Sequence, residues 1–87
     1  MYANKIDGNQ NRIVNDLRSL GFSVWLTNGK KGNPDMVVAF QGKTAVVEVK
    51  TEKGKQREAQ KDFQKSWRGT YILARSTADV VSVWGIK

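Results

Sequence analysis

The apolar positions of this chain change period several times, and each change marks an element. Ile13, Val14, Leu17 and Leu20 recur at helical spacing, a stripe that predicts a first helix over residues 9–20. Asp7 or Asn9 is placed to cap its start and Gly21 to stop it. FSVWL (22–26) is β-branched and aromatic and predicts a strand. TNGKKGNP (27–34), with its glycines, asparagines and proline, predicts a loop. MVVAF (36–40) and TAVVEVK (44–50) predict the two strands of a hairpin about Gln41-Gly42. A second helix is expected over about 55–67, with Ala59, Phe63 and Trp67 on its buried face and Arg57, Lys61 and Lys65 on the opposite side. TYILA (70–74) reads as a further strand; after it, Ser76 and Thr77 suit the cap of a short helix over 77–83, where VVSVW also suits a strand. The order α-β-β-β-α-β predicts an α/β fold, a small mixed sheet flanked by helices.

Length and composition narrow what such a domain does. With 87 residues the chain is expected to form one domain, 1–87, near the small end of what folds without staples. Cysteine and histidine are both absent, which excludes disulfides, thiolate metal sites and His-based general base chemistry. Catalysis would rest on carboxylates, lysine, hydroxyls, amides or a hard metal ion. No run is apolar enough to serve as a signal core or to span a bilayer, so a soluble protein of a reducing cytoplasm is expected. Fifteen Lys and Arg against eight Asp and Glu leave a net charge of +7. A polyanionic partner follows, with nucleic acid ahead of membrane.

The hairpin holds the chemistry. A two-residue loop at Gln41-Gly42 pairs Phe40 with Lys43, and the same register places Asp35 opposite Glu48 on one side of the sheet. Like charges so placed repel, so the pair calls for a cation between them. Oxygen ligands without His or Cys select Mg²⁺ or Mn²⁺, and the Val49 backbone carbonyl is a further ligand candidate. Alternation puts Lys50 on the face of Glu48. Two acids, a hard ion and a lysine suit phosphodiester hydrolysis. Any one of these acids alone is more often a solvated turn or surface residue; the pair in register, with the lysine and the basic chain, favours a site.

Pro34-Asp35 followed by Glu48-Val49-Lys50 resembles the PD-(D/E)XK nuclease motif. More closely, "DGNQNRIVNDLRSLG", "GNPDMVV", "VVEVK" and the helix with Gln60 and Trp67 are similar to the VRR-NUC (virus-type replication-repair nuclease) family, in particular its small stand-alone phage-type members. The resemblance covers about residues 7–80. It implies a PD-(D/E)XK restriction-endonuclease-like core, metal roles for Asp35, Glu48 and the Val49 carbonyl, and a catalytic role for Lys50. It also implies an acid on or near the first helix. That helix contains no Glu; Asp7 just ahead of it is the nearest candidate, with Gln10 beside it, and Asp16 lies later. Gln60 matches a glutamine recurrent in the group.

Lys30 and Lys31 precede Asp35, and Lys53, Lys55 and Arg57 follow Lys50; as flanking clusters they read as a rim that grips DNA phosphates. Trp25, Trp67 and Trp84 are expected in the core, with Trp84 alternatively at a subunit interface or stacked on a base. The function expected is a metal-dependent, structure-selective DNA endonuclease that resolves four-way (Holliday) junctions as a homodimer, with the C-terminal patch Val80, Val81, Val83 and Trp84 as its interface. The alternatives are a flap, nick or single-strand nuclease, a toxin-like or translation-associated RNA-binding domain, and a DNA-binding module without catalysis. The last would have no need of opposed acids.

Overall fold

The structure, a computed structural model, describes residues 8–27, 32–51 and 53–85. Helix α1 spans Gly8–Ser19, strand β1 Ser23–Leu26, β2 Met36–Phe40, β3 Lys43–Val49, helix α2 Glu58–Ser66, β4 Thr70–Ala74 and helix α3 Thr77–Val81, which runs into a 3₁₀ turn over Ser82–Trp84. The architecture is α/β: one four-stranded mixed sheet in the order β1-β2-β3-β4, with three helices. The first three strands are antiparallel and β4 lies parallel to β3, because the connection between them returns through α2 instead of a tight turn. The residues after β4 form helix and not strand: Ser76 caps α3 by accepting from the Asp79 N–H, and the Asp79 carboxylate accepts in return from the Arg75 N–H.

Local chemistry sets the turns. Gly21 has φ +97°, and the Phe22 N–H closes on the Leu17 carbonyl, a left-handed stop for α1. Gln41 and Gly42 both have positive φ, the two-residue hairpin turn whose twist matches the strands. The expected register follows, from Phe40 opposite Lys43 to Met36 opposite Val47. Asn9 does not cap α1: it lies inside the helix, and its amide donates to the carbonyls of Lys50 and Arg75. Those bonds tie the start of α1 to the ends of β3 and β4. Asp7, the other cap candidate, lies outside the described residues.

Strand β3 is buried on both faces from Ala45 to Val49. One face, with Met36, Val38, Ala45, Val47, Val49, Ile72 and Ala74, packs on Ile13, Val14 and Leu17 of α1 and Val80 of α3. This is the core face. On the other, Val46 and Glu48 are buried, Gln60 of α2 bonds Glu48, and Phe63 of α2 meets the Tyr71 ring. Helix α2 therefore covers the β3–β4 half of this second face.

Three expectations about packing are corrected here. Ala59 and Trp67 are exposed and Phe63 half-buried; the residue that α2 buries is Gln60. The tryptophans are not all core: Trp25 is 69% and Trp67 42% exposed. Trp67 lies past the helix, stacked on Phe63, with its indole N–H on the Thr70 carbonyl. The C-terminal patch is consumed within the chain: Val80 is fully buried, Val81 and Val83 pack on the core, and Trp84 meets Phe22 edge-on while donating to the Phe40 carbonyl. Val81, Val83 and Trp84 remain half-exposed.

Candidate active site

The site lies where β2 begins, β3 ends and α2 crosses. Glu48 is 2% exposed, and its two carboxylate oxygens fare differently. Oε2 accepts from the Gln60 amide at 2.7 Å and lies 3.5 Å from the Lys50 ammonium. Oε1 is buried with no hydrogen-bond partner. An orphaned carboxylate oxygen in a folded interior is costly unless a cation or proton meets it. Burial and then the nearby Asp35 charge push the Glu48 pKa up to about 7, against the opposing pull of Lys50.

Asp35 lies beside this group, but the expected pairing of Asp35 with Glu48 is not made: the register ends at Met36 opposite Val47, and Asp35 is not a regular strand residue. Its N–H bonds the Val47 carbonyl on β3 while its own carbonyl accepts from Thr27 beside β1. In a regular ladder both groups of a residue face one neighbour; here the chain bends at Asp35. The bend lets the carboxylate accept from the Val49 N–H at 2.7 Å. Since a strand residue sends its N–H and C=O to the same edge, the Val49 carbonyl lies on the Asp35 side of β3. The Thr27 hydroxyl donates to the Pro34 carbonyl and holds the approach to the bend.

Gln60 is the brace of the site. Its amide nitrogen donates to Glu48, and its carbonyl oxygen accepts from the Arg57 N–H at 2.8 Å, at the first turn of α2. One side chain so caps its own helix and orients the buried acid. Gly32 holds the other wall: with φ +85°, a Cβ there would sit 2.6 Å from the Ala59 Cβ and backbone. Only glycine allows this approach of the segment leading to Asp35. Tyr71 and Gln56 form an outer layer that sequence reasoning missed. The Gln56 amide donates to the Tyr71 hydroxyl at 3.2 Å, and burial raises the Tyr71 pKa, with the Glu48 and Asp35 charges adding to it. Alternation put Tyr71 and Leu73 on one face of their strand, but only the pairing of Tyr71 with Val46 shows that it is the face of Glu48.

The remaining expected residues divide clearly. Lys53, Lys55 and Arg57 are exposed between β3 and α2, where the Arg75 guanidinium holds the Gly54 carbonyl. Lys30, Lys31 and Asp7 lie outside the described residues. Gln10, in the first turn of α1, is half-buried. Asp16 is tied to the Thr77 hydroxyl at 2.7 Å, a link between α1 and α3 that leaves it a structural role. Among the described residues, no group of three or more carboxylates stands together; the structure assembles a pair. Comparison with known proteins returns no matching family model, curated protein or solved structure.

Proposed function

We propose that the chain is a Mg²⁺- or Mn²⁺-dependent DNA endonuclease with a PD-(D/E)XK, VRR-NUC-like core, built on Asp35, Glu48 and Lys50. The observation that carries this reading is the unpartnered Glu48 Oε1, buried beside a second carboxylate and a lysine. The Gln60 amide and the Lys50 ammonium both fall on Oε2, which leaves Oε1 facing the side where a cation or a proton shared with Asp35 would meet it. The donor set fits a hard cation: the Glu48 and Asp35 carboxylates and the Val49 carbonyl are all oxygen ligands. When bound there, such an ion supplies Lewis acidity for phosphodiester hydrolysis, neutralising phosphate charge and lowering the pKa of water.

The chain's own groups have separate tasks. Asp35 is held by the Val49 N–H and Glu48 by Gln60, so neither acid has to reorganise as a phosphate arrives. Lys50 lies at the end of β3 with its ammonium toward Glu48, placed to steady the attacking water or the charge of the transition state. The excess positive charge, +7, supports phosphate binding without base recognition.

Two cuts related by a two-fold axis resolve a four-way junction, and a homodimer supplies two such sites. Val80 is buried in the core, so the C-terminal patch has only the half-buried Val81, Val83 and Trp84 to offer the interface of that dimer. The test is incubation with labelled four-way junction, flap and linear duplex in Mg²⁺, Mn²⁺ or EDTA, with light scattering at the same concentration. Metal-dependent cleavage that favours the junction is expected. Absence of cleavage with either metal sinks the enzyme, and equal cutting of linear duplex removes only the substrate preference.

A further inference from the structure

Trp25 is the most exposed of the large apolar side chains among the described residues, and nothing in the packing accounts for it. It is 69% exposed, more than Leu20 or Trp67. The other two tryptophans have assigned work, as each indole N–H bonds a backbone carbonyl and each ring meets Phe63 or Phe22. Among the described residues, none hydrogen-bonds the Trp25 indole or stacks on its ring; its backbone alone is engaged, in the ladder with Val37.

The register says where this ring stands. Trp25 pairs with Val37, and Val37 with Val46, so all three share the face that carries Glu48. Helix α2 covers only the β3–β4 half of that face, leaving Val37 and Ala39 half-exposed and Trp25 open beside them. Along β2, Asp35 is two residues beyond Val37, diagonal to Trp25. Diagonal positions lie roughly 7–8 Å apart, within reach of an aromatic side chain. Glu48 is two strands away, about 10 Å in the pairing direction.

An exposed indole at that distance from a phosphodiester site, on a chain of net charge +7, matches the parts list of a single-strand platform: a cationic surface for the backbone and a ring for the base. A second copy of the chain fits less well. A stable interface needs roughly 800 Å² from each partner, whereas Trp25 is flanked along its strand by exposed Ser23 and half-buried Thr27, and the other exposed large hydrophobics sit at the ends of α1 and α2. We infer that Trp25 is a stacking platform for an unpaired DNA base next to the scissile phosphate, so that the enzyme takes strands opened at a branch, flap or gap in preference to continuous duplex. This deepens the nuclease reading and rests on it.

The experiment measures binding in EDTA, which needs no cleavage, and cleavage separately in Mn²⁺. The probes are a linear duplex, a gapped duplex with unpaired nucleotides, and the gapped duplex with abasic analogues in place of those bases. The proteins are wild type, Trp25→Ala and Trp25→Phe, each checked for native circular dichroism. Trp25→Ala is expected to lose about tenfold in affinity for the gapped duplex and little for the linear one, and Trp25→Phe to keep most of it. Abasic analogues should cost the wild type a similar factor and cost Trp25→Ala nothing more. The salt dependence should be the same in all three proteins, since stacking releases no counterions. Equal affinity of wild type and Trp25→Ala for the gapped probe overturns the inference, as does a dimer that Trp25→Ala converts to monomer, which would assign the ring to a subunit contact. Cleavage by the wild type with no Trp25 dependence leaves the nuclease standing and the platform refuted. Trp25-dependent binding without cleavage does the reverse, and no binding to any probe refutes both.

Discussion

The two faces of this sheet are built from the same strands and obey opposite rules. On the core face, Met36, Val38, Val47 and Ala74 meet Ile13, Leu17 and Val80, and burial is purely apolar. On the other, β3 buries Glu48 as deeply as its valines, leaves one carboxylate oxygen without a partner, and sets Asp35 and Lys50 against it. The first face is where the fold is stabilised; the second gives up stability to hold charge ready. Both follow from a single alternation in VVEVK, so a small domain can carry stability and chemistry on alternate residues of one strand.

The difference is sharpest in mutants. Asp35→Asn or Glu48→Gln is expected to lower cleavage by about 10³-fold, on the order of 4 kcal/mol of transition-state stabilisation, with DNA affinity largely retained. Single-turnover rates in Mg²⁺ beside binding in EDTA check this, and wild-type rates in both variants would dissolve the distinction between the faces. Leu17→Ala on the core face should do the converse, costing about 3 kcal/mol of stability by urea unfolding while the folded fraction keeps its activity.

Protonation gives an intermediate effect of defined sign. Glu48 titrates near 7 in the folded chain and near 4.5 when unfolded, so between those values the folded state holds more protons. Stability without metal should therefore fall as pH rises from about 4.5 to 7, by up to about 3 kcal/mol, and stay low above that. Glu48→Gln should flatten the profile and raise the melting temperature at pH 8. Thermal melts in EDTA across this range decide it; a wild type that gains stability through the same window contradicts a buried, raised carboxylate.

Two smaller effects separate the groups around the pair. Lys50→Ala should slow cleavage by about 100-fold, or 2.7 kcal/mol, without changing the Mn²⁺ concentration needed for half-maximal rate. Gln60→Ala removes the brace on Glu48 and the acceptor of the Arg57 N–H. About tenfold is expected, read as a higher metal requirement. A metal titration of both variants tells catalytic lysine from positioning glutamine, and identical curves would merge their roles.

Much of this was legible in the chain because it is local. The helical stripe of Ile13, Val14 and Leu17, the stop at Gly21, the turn at Gln41-Gly42 and the pairing that runs back toward Asp35 all depend on residues close in sequence. The two-residue hairpin also brings the segment of Asp35 toward Glu48 and Lys50, but the bend that turns the Asp35 carboxylate onto the Val49 N–H is not in the pattern. The side that α2 would bury was not legible. Its apolar residues Ala59, Phe63 and Trp67 repeat at helical spacing, but the surface they would have packed on is occupied by an acid pair, and the helix turns Gln60 inward to satisfy it.

Sequence alone therefore determined the element order up to β4, the hairpin register from Met36 to Val47 and the presence of three charged residues at its open end, because backbone sterics and alternation act within a few residues. Tertiary structure alone decided which carboxylate oxygen is left unpaired, that β4 joins beside Glu48 in parallel, that the C-terminal valines serve the core, and that Trp25 stays in the open. Those outcomes depend on how far each helix extends over the sheet and on what lies beneath it. A pattern along one strand carries no record of that coverage, since burial on a sheet face is set by the element that lands there.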